Sequence, residues 1–186
     1  MLGKLYRNIH QDIIDRCKKR EQKAQFELYK LYYKAMYNTC FRIVQNTAEA
    51  EDIMQEAFLS AFSKIRSYKG KVSFGAWLKK IVVNKAIDEV RKKKEFFEQL
   101  DENYSSIEDD NFDIFIDELN KEKIKIIQNA VNQLSDGYRL VLTLFLFEGY
   151  DHEEISKILN ISNSTSRSQY ARAKAKLKEI LAKNNF

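Results

Sequence analysis

Residues 150–181 read YDHEEISKILNISNSTSRSQYARAKAKLKEIL. Asp151 stands where a helix would start, with Glu154 three residues on, the spacing of a reciprocal capping box. Ile155, Ile158 and Leu159 follow at the spacing of one apolar helix face. Asn160 tolerates the left-handed backbone that ends a helix, and Ile161 buries the turn. Ser162 or Asn163 then caps a second helix, running from about Ser164 to Leu181. Its inner face is Tyr170, Ala173, Leu177, Ile180 and Leu181. A short helix, a tight turn and a longer helix form a helix-turn-helix, whose second helix carries its leading residues into a major groove. The candidate groove-reading residues are Thr165, Arg167, Ser168, Gln169 and Arg172, because Arg pairs with guanine edges, Gln with adenine, and Ser or Thr with bases or phosphates.

Helical periodicity extends upstream. Ile124, Ile127, Ala130, Val131 and Leu134 line one helix, and Tyr138, Val141, Leu142, Leu144, Phe145 and Leu146 line the next, which stops near Gly149. Residues 24–45 carry Leu28, Leu31, Tyr32, Ala35, Met36, Thr39 and Ile43 at amphipathic spacing. Residues 48–66 do so with Ile53, Ala57, Phe58, Ala61 and Ile65, and Thr47 is the expected cap. After a loop at 67–73 around Gly70, a helix over 74–94 presents Phe74, Trp77, Leu78, Ile81 and Val82; a short helix over 10–20 leads the chain. The absence of proline and the scarcity of glycine, five in 186 residues, disfavour strands joined by tight turns. The expected fold is therefore all-α.

Charge divides the chain. Lys64 to Lys94 holds eleven basic residues against two acidic ones, a balance of +9. Glu95 to Glu122 holds eleven acids against one lysine, a balance of −10, and Ser162 to Phe186 returns to +5. Two basic blocks flanking an acidic one predict two polyanion-binding helical domains, 1–94 and 123–186, joined by an acidic linker, 95–122.

Other classes find little support. His10 and His152 are the two histidines, and neither lies near a cysteine pair. No metal-ligand spacing, nucleophile elbow or phosphate-binding glycine loop occurs, so neither enzymatic activity nor a cofactor nor a metal is expected. The apolar runs are too short for a membrane span or a signal sequence. A cytoplasmic protein is expected, with Cys17 and Cys40 as buried thiols.

The stretch EAEDIMQEAFLSAFSKIRSYKGKVSFGAWLKKIVVNKAIDEVRKKK, residues 49–94, resembles the core segment of RNA polymerase sigma factors of the extracytoplasmic-function group, and the helix-turn-helix from Leu134 onward resembles their C-terminal domain. The resemblance implies a factor that binds core RNA polymerase, recognises −10 and −35 promoter elements and promotes melting of the DNA. It implies that Asp52, Gln55 and Glu56 meet the clamp of the largest subunit; Asp52 and Glu56, four apart, share one helix face. It also implies contact of the second domain with the flap of the second-largest subunit. The 67–73 loop matches the loop that receives an unstacked promoter base, where Lys69, Gly70 and Lys71 allow close approach to phosphates. Lys79, Asn84, Lys85, Asp88 and Arg91 fall in the −10 contact helix, and Thr165, Arg167, Ser168, Gln169 and Arg172 in the −35 helix. The implied partners are core polymerase and promoter DNA, one copy per polymerase and a monomer when free; an anti-sigma factor is compatible with the family. Ser164 and Ser166 depart from the glycine and small aliphatic residue common there, which leaves the −35 preference open. The competing reading is a stand-alone helix-turn-helix regulator whose upstream half binds a ligand or dimerises.

Overall fold

A computed structural model describes residues 8–100 and 118–183, and every regular element among them is helical. The chain divides into two compact units, Met1–Tyr104 and Ser105–Phe186.

In the first unit, α1 (Gln11–Lys18) packs on α2 (Gln22–Val44), and α2 packs on both α3 (Thr47–Lys64) and α4 (Phe74–Leu100), which also pack on each other. Leu28, Met36 and Ile43 of α2, Ile53, Ala57, Phe58 and Ala61 of α3, and Phe74, Leu78, Val82 and Ala86 of α4 are buried where the three helices meet. Leu31, expected on the inner face of α2, lies at the edge of the stripe and is 47% exposed, and Ala35 is exposed as well. The link into α3 is capped by Asn46, whose Oδ1 accepts the Glu49 backbone N–H at 3.0 Å; Thr47, the expected cap, is the first helical residue. A 3₁₀ turn at Ile65–Ser67 ends α3 and leads into the loop before α4. Arg16 joins α1 to α2 through hydrogen bonds to Glu21 and Glu27, and the Arg16 hydrogen bond holds the Glu21 carboxyl below its ordinary range. Cys17 and Cys40 are buried and not disulfide-bonded, and burial pushes Cys17 up to about 11, so it stays protonated at neutral pH.

In the second unit, α5 (Glu118–Asn132), α6 (Asp136–Leu142) and α7 (His152–Leu159) all pack against the long α8 (Asn163–Lys183). Val131, Leu134, Leu142 and Ala173 form its buried cluster, with Ile127, Tyr138, Tyr170, Leu177 and Ile180 packed around it. The expected single helix through Leu146 instead changes pitch. Residues Thr143–Phe147 form a π-helical turn, in which Glu148 N–H bonds to the Thr143 carbonyl at 3.1 Å. The change leaves Leu144 buried and turns Leu146 and Phe147 out to about half exposure, 51% and 48%.

The acidic stretch is entered by helix from both sides, since α4 continues to Leu100 and α5 begins at Glu118. The rest of the expected linker, 101–117, lies outside the described residues.

Leu142 is fully buried at the centre of the second unit. Leu142→Ala is expected to destabilise this unit by about 2–5 kcal/mol. Urea unfolding of wild type and variant, followed by far-UV circular dichroism, measures the difference.

Candidate polymerase and nucleic-acid interfaces

The helix-turn-helix is built from local hydrogen bonds that the sequence encodes directly. Asp151 Oδ1 accepts the Glu154 N–H at 2.8 Å, and Glu154 Oε2 accepts the Asp151 N–H at 3.1 Å, closing the capping box of α7. Ile155 anchors α7 with no exposed surface. Asn160 ends the helix at φ 54°, in the left-handed region. Ser162 then caps α8, its Oγ accepting the Thr165 N–H at 3.0 Å.

On α8, Arg167, Ser168 and Arg172 are exposed, together with Ser164. Asn163 Oδ1 accepts from Arg167 Nε at 2.9 Å, which steers the guanidinium along the leading turn. Thr165 and Gln169 are half-buried. Thr165 Oγ1 pairs with the capping Ser162 hydroxyl at 2.7 Å, and the Gln169 amide lies beside Gly137 at the start of α6, 3.7 Å from where a side-chain Cβ there would stand. The exposed leading surface is therefore two arginines and two serines, with Thr165 and Gln169 set back from it.

Ser166 explains its own presence. It is fully buried, and its hydroxyl meets His152 Nδ1 at 2.9 Å. The His152 ring in turn stacks on Phe145, with centroids 4.6 Å apart, and meets the edge of Tyr170 at 5.6 Å. A small aliphatic residue at 166 would leave that imidazole nitrogen facing an apolar wall. The polar serine is thus matched to a histidine fourteen residues earlier, a pairing that neither residue's local context signals.

In the first unit, Asp52, Gln55 and Glu56 are all exposed on α3. Asp52 and Glu56 line a shallow charged groove between α3 and α4, with Lys85, Asp88 and Arg91 on the opposite wall. Glu56 Oε2 and Lys85 Nζ bridge it at 3.0 Å, and Asp88 pairs with Arg91 at 3.5 Å along α4. Residues that the sequence reading divides between two partners therefore share one groove, while Gln55 stands outside it. These ion pairs are exposed, and each contributes about 0–1 kcal/mol at most, so either partner can be drawn away by a stronger counter-charge.

The loop before α4 exposes Lys69 and Lys71 around Gly70, whose φ of 68° is left-handed. Further along α4, Asn84 is exposed and Lys79 half-buried. Lys80, which the sequence reading counted only as charge, is exposed four residues before Asn84 and on the same stripe as Asn84, Asp88 and Arg91. Phe74 is buried and Trp77 half-buried; their rings pack on each other and on Tyr68 at 5.3–5.5 Å, which makes them part of the wall behind the loop.

Among the described residues no group of three His, Cys, Asp or Glu side chains stands together as metal ligands, and no helix is long and apolar enough to cross a membrane.

The sigma-70 region 2 family profile matches residues 28–96, and the sigma-70 region 4 profile matches residues 124–177. The chain is 33% identical to the extracytoplasmic-function (ECF) sigma factor SigW of Bacillus subtilis, over 90% of this chain and 94% of that protein. The chain belongs to the ECF group of RNA polymerase sigma factors. The ECF factor SigM of B. subtilis is 30% identical over 83% of this chain and 93% of that protein. A solved sigma factor, RpoE of Bartonella quintana in complex with the anti-sigma factor NepR, shares the fold with a TM-score of 0.57 at 21% identity, covering 84% of this chain and 95% of that one. CnrH, solved with the cytosolic domain of CnrY, gives a TM-score of 0.54 at 19% identity over 91% and 95%. As an ECF sigma factor the protein recognises promoters for transcription initiation, and its family is one of regulators, not enzymes. The stand-alone regulator reading required an upstream half unlike a polymerase-binding domain, and the region 2 match occupies that half.

Ser166→Ala removes the partner of His152 Nδ1. The variant is expected to lose about 1–3 kcal/mol of stability in the second unit. His152→Phe together with Ser166→Ala, which removes both polar partners, is expected to regain part of that loss; thermal unfolding of the three proteins checks both values.

Proposed function

We propose that this sigma factor distributes its work as follows. Asp52, Gln55 and Glu56 of α3 dock on the clamp of the largest polymerase subunit. The loop at 67–73 takes up an unstacked base of the −10 element, with Lys69 and Lys71 on the adjoining phosphates. Lys79, Asn84, Lys85, Asp88 and Arg91 of α4 track the −10 strand, and Lys80 joins them. The leading end of α8, with Thr165, Arg167, Ser168, Gln169 and Arg172, reads the −35 element, while the second unit rests on the flap of the second-largest subunit. The observation that carries this reading is that two compact helical units each hold one matched sigma region and each turn a basic helix face to solvent.

The shared groove gives the two partners of the first unit a physical connection. Glu56 and Lys85 neutralise each other in the free protein. A basic clamp surface competes for Glu56, and release of Lys85 raises the positive potential offered to the DNA strand. Polymerase binding and −10 contact are thereby coupled through one exposed ion pair.

The catalytic chemistry belongs to the polymerase, and the proposed role of the sigma factor calls on no cofactor. It works in the cytoplasm as one copy per polymerase and as a monomer when free. The two solved structures with similar folds are complexes, one with the anti-sigma factor NepR and the other with the cytosolic domain of CnrY; an anti-sigma protein holding this chain away from polymerase is the corresponding proposal here.

Two measurements test the assignment. Asp52→Lys with Glu56→Lys is expected to abolish capture of core polymerase in a pull-down while leaving the circular dichroism spectrum unchanged; normal capture refutes the clamp role. Arg167→Ala and Arg172→Ala are each expected to weaken holoenzyme binding to the −35 region by about 1–3 kcal/mol where they read a base. Unchanged affinity in both removes α8 as the reader.

A further inference from the structure

We propose that Asn8 and Tyr68 form a latch that positions the 69–72 loop for capture of the unstacked promoter base, an inference that rests on the role given to that loop under Proposed function. Asn8 and Tyr68 are 7% and 4% exposed and sixty residues apart. The Tyr68 hydroxyl donates to the Val72 carbonyl at 2.6 Å, closing the loop across its own base. Asn8 Nδ2 donates to the Tyr68 oxygen at 2.9 Å, and Asn8 Oδ1 accepts the Phe74 N–H at 2.8 Å.

The direction of these bonds follows from chemistry. The Phe74 N–H is a donor at the start of α4 with no partner inside the helix, so the amide must turn its oxygen there and its NH₂ toward Tyr68. With an N–H arriving at the phenolic oxygen, the single hydroxyl hydrogen is directed to Val72. One buried amide therefore fixes both ends of the loop, Tyr68–Val72 on one side and the first turn of α4 on the other. The rest of the surroundings hold the latch in register. Asn8 Nδ2 also donates to Gln11 Oε1 at 3.0 Å, the Arg66 Nε donates to the Lys18 carbonyl at 3.2 Å, and the Tyr68 ring lies against Phe74 and Trp77.

Lys69 and Lys71 stand exposed on the loop so closed. A loop already ordered before binding loses less conformational freedom when a base enters. Asn8 and Tyr68 are buried beneath the loop, so they act as positioning residues and not as DNA contacts. Tyr68→Phe removes the hydroxyl and keeps the ring packing; Asn8→Asp keeps the acceptor for Phe74 N–H and removes the donor to Tyr68.

The test uses holoenzyme reconstituted with core polymerase and a promoter fragment that wild-type holoenzyme transcribes in run-off assays. Capture of the single-stranded non-template −10 strand of that promoter is measured beside core affinity, and amide hydrogen exchange is followed on the free sigma factor. Tyr68→Phe and Asn8→Asp are each expected to lower strand capture on the order of tenfold, the scale of one buried hydrogen bond. Exchange at 69–73 is expected to accelerate by a similar factor, with core affinity and the protection of α2 and α3 unchanged. Lys69→Ala with Lys71→Ala separates the two levels. If this double variant captures the strand normally, the loop assignment itself fails. If it loses capture while Tyr68→Phe and Asn8→Asp retain it, the latch is overturned and the loop assignment stands. Parallel loss of core affinity and of protection throughout the unit in both latch variants marks a general structural role and overturns the latch as well.

Discussion

Two helices, α4 and α8, must each bury one stripe and leave the opposite stripe charged and wet. On α4 the inner stripe is Phe74, Leu78, Val82 and Ala86, and the outer one is Lys80, Asn84, Asp88 and Arg91. On α8 the inner stripe includes Ser166 and Ala173, and the outer one Arg167, Ser168 and Arg172. The 3.6-residue period lets one helix do both. Both helices proposed to contact DNA depend on that division. The neighbouring helices fix the rotation of α4 and α8 about their axes, and this rotation decides which polar side chains face solvent.

The two units solve the same problem with different polar fittings. In the second unit, short-range devices dominate: the Asp151–Glu154 box, the left-handed Asn160 and the Ser162 cap together define the turn between α7 and α8. The first unit adds long-range pairs to its local ones. Asn8 reaches Tyr68 and Phe74, and Glu56 reaches Lys85. The exposed Glu56–Lys85 pair adds little stability, whereas the buried Asn8 contacts matter because an unsatisfied buried amide is costly. The first kind of contact is easily exchanged for a partner's charge, and the second holds a loop in shape.

The helix-turn-helix was the most legible part of the molecule, because its caps lie within three or four residues of the groups they satisfy. The buried stripe of α3 and the turn after it followed from spacing as well, with Ile53, Ala57, Phe58 and Ala61 of the helix and Ile65 of the turn all inside. Legibility failed where a neighbour decided the outcome. Leu31 and Ala35 sit at the margin of the α2 stripe and were left outside by the placement of the surrounding helices. Asn46 took the cap from Thr47 because its backbone is the last extended one before the helix, at φ −141° and ψ 128°. The π-helical turn at Thr143–Phe147 has no signature in apolar spacing, since it inserts a pitch change inside an otherwise helical pattern.

The sequence by itself determined the all-α class, the identity of the helices, the capping of the helix-turn-helix and the alternation of charge along the chain. All of these arise from interactions within about four residues or from composition. Only the tertiary structure decided that Ser166 answers His152, that Asp52 and Glu56 face Lys85 and Arg91 across one groove, that Gln169 lies beside Gly137, and that Asn8 bonds to Tyr68 and to the Phe74 N–H at the two ends of the loop that carries Lys69 and Lys71. Those contacts join residues from fourteen to sixty-six positions apart, and hydrogen-bond complementarity at such separations is fixed by how helices pack, which local spacing does not encode.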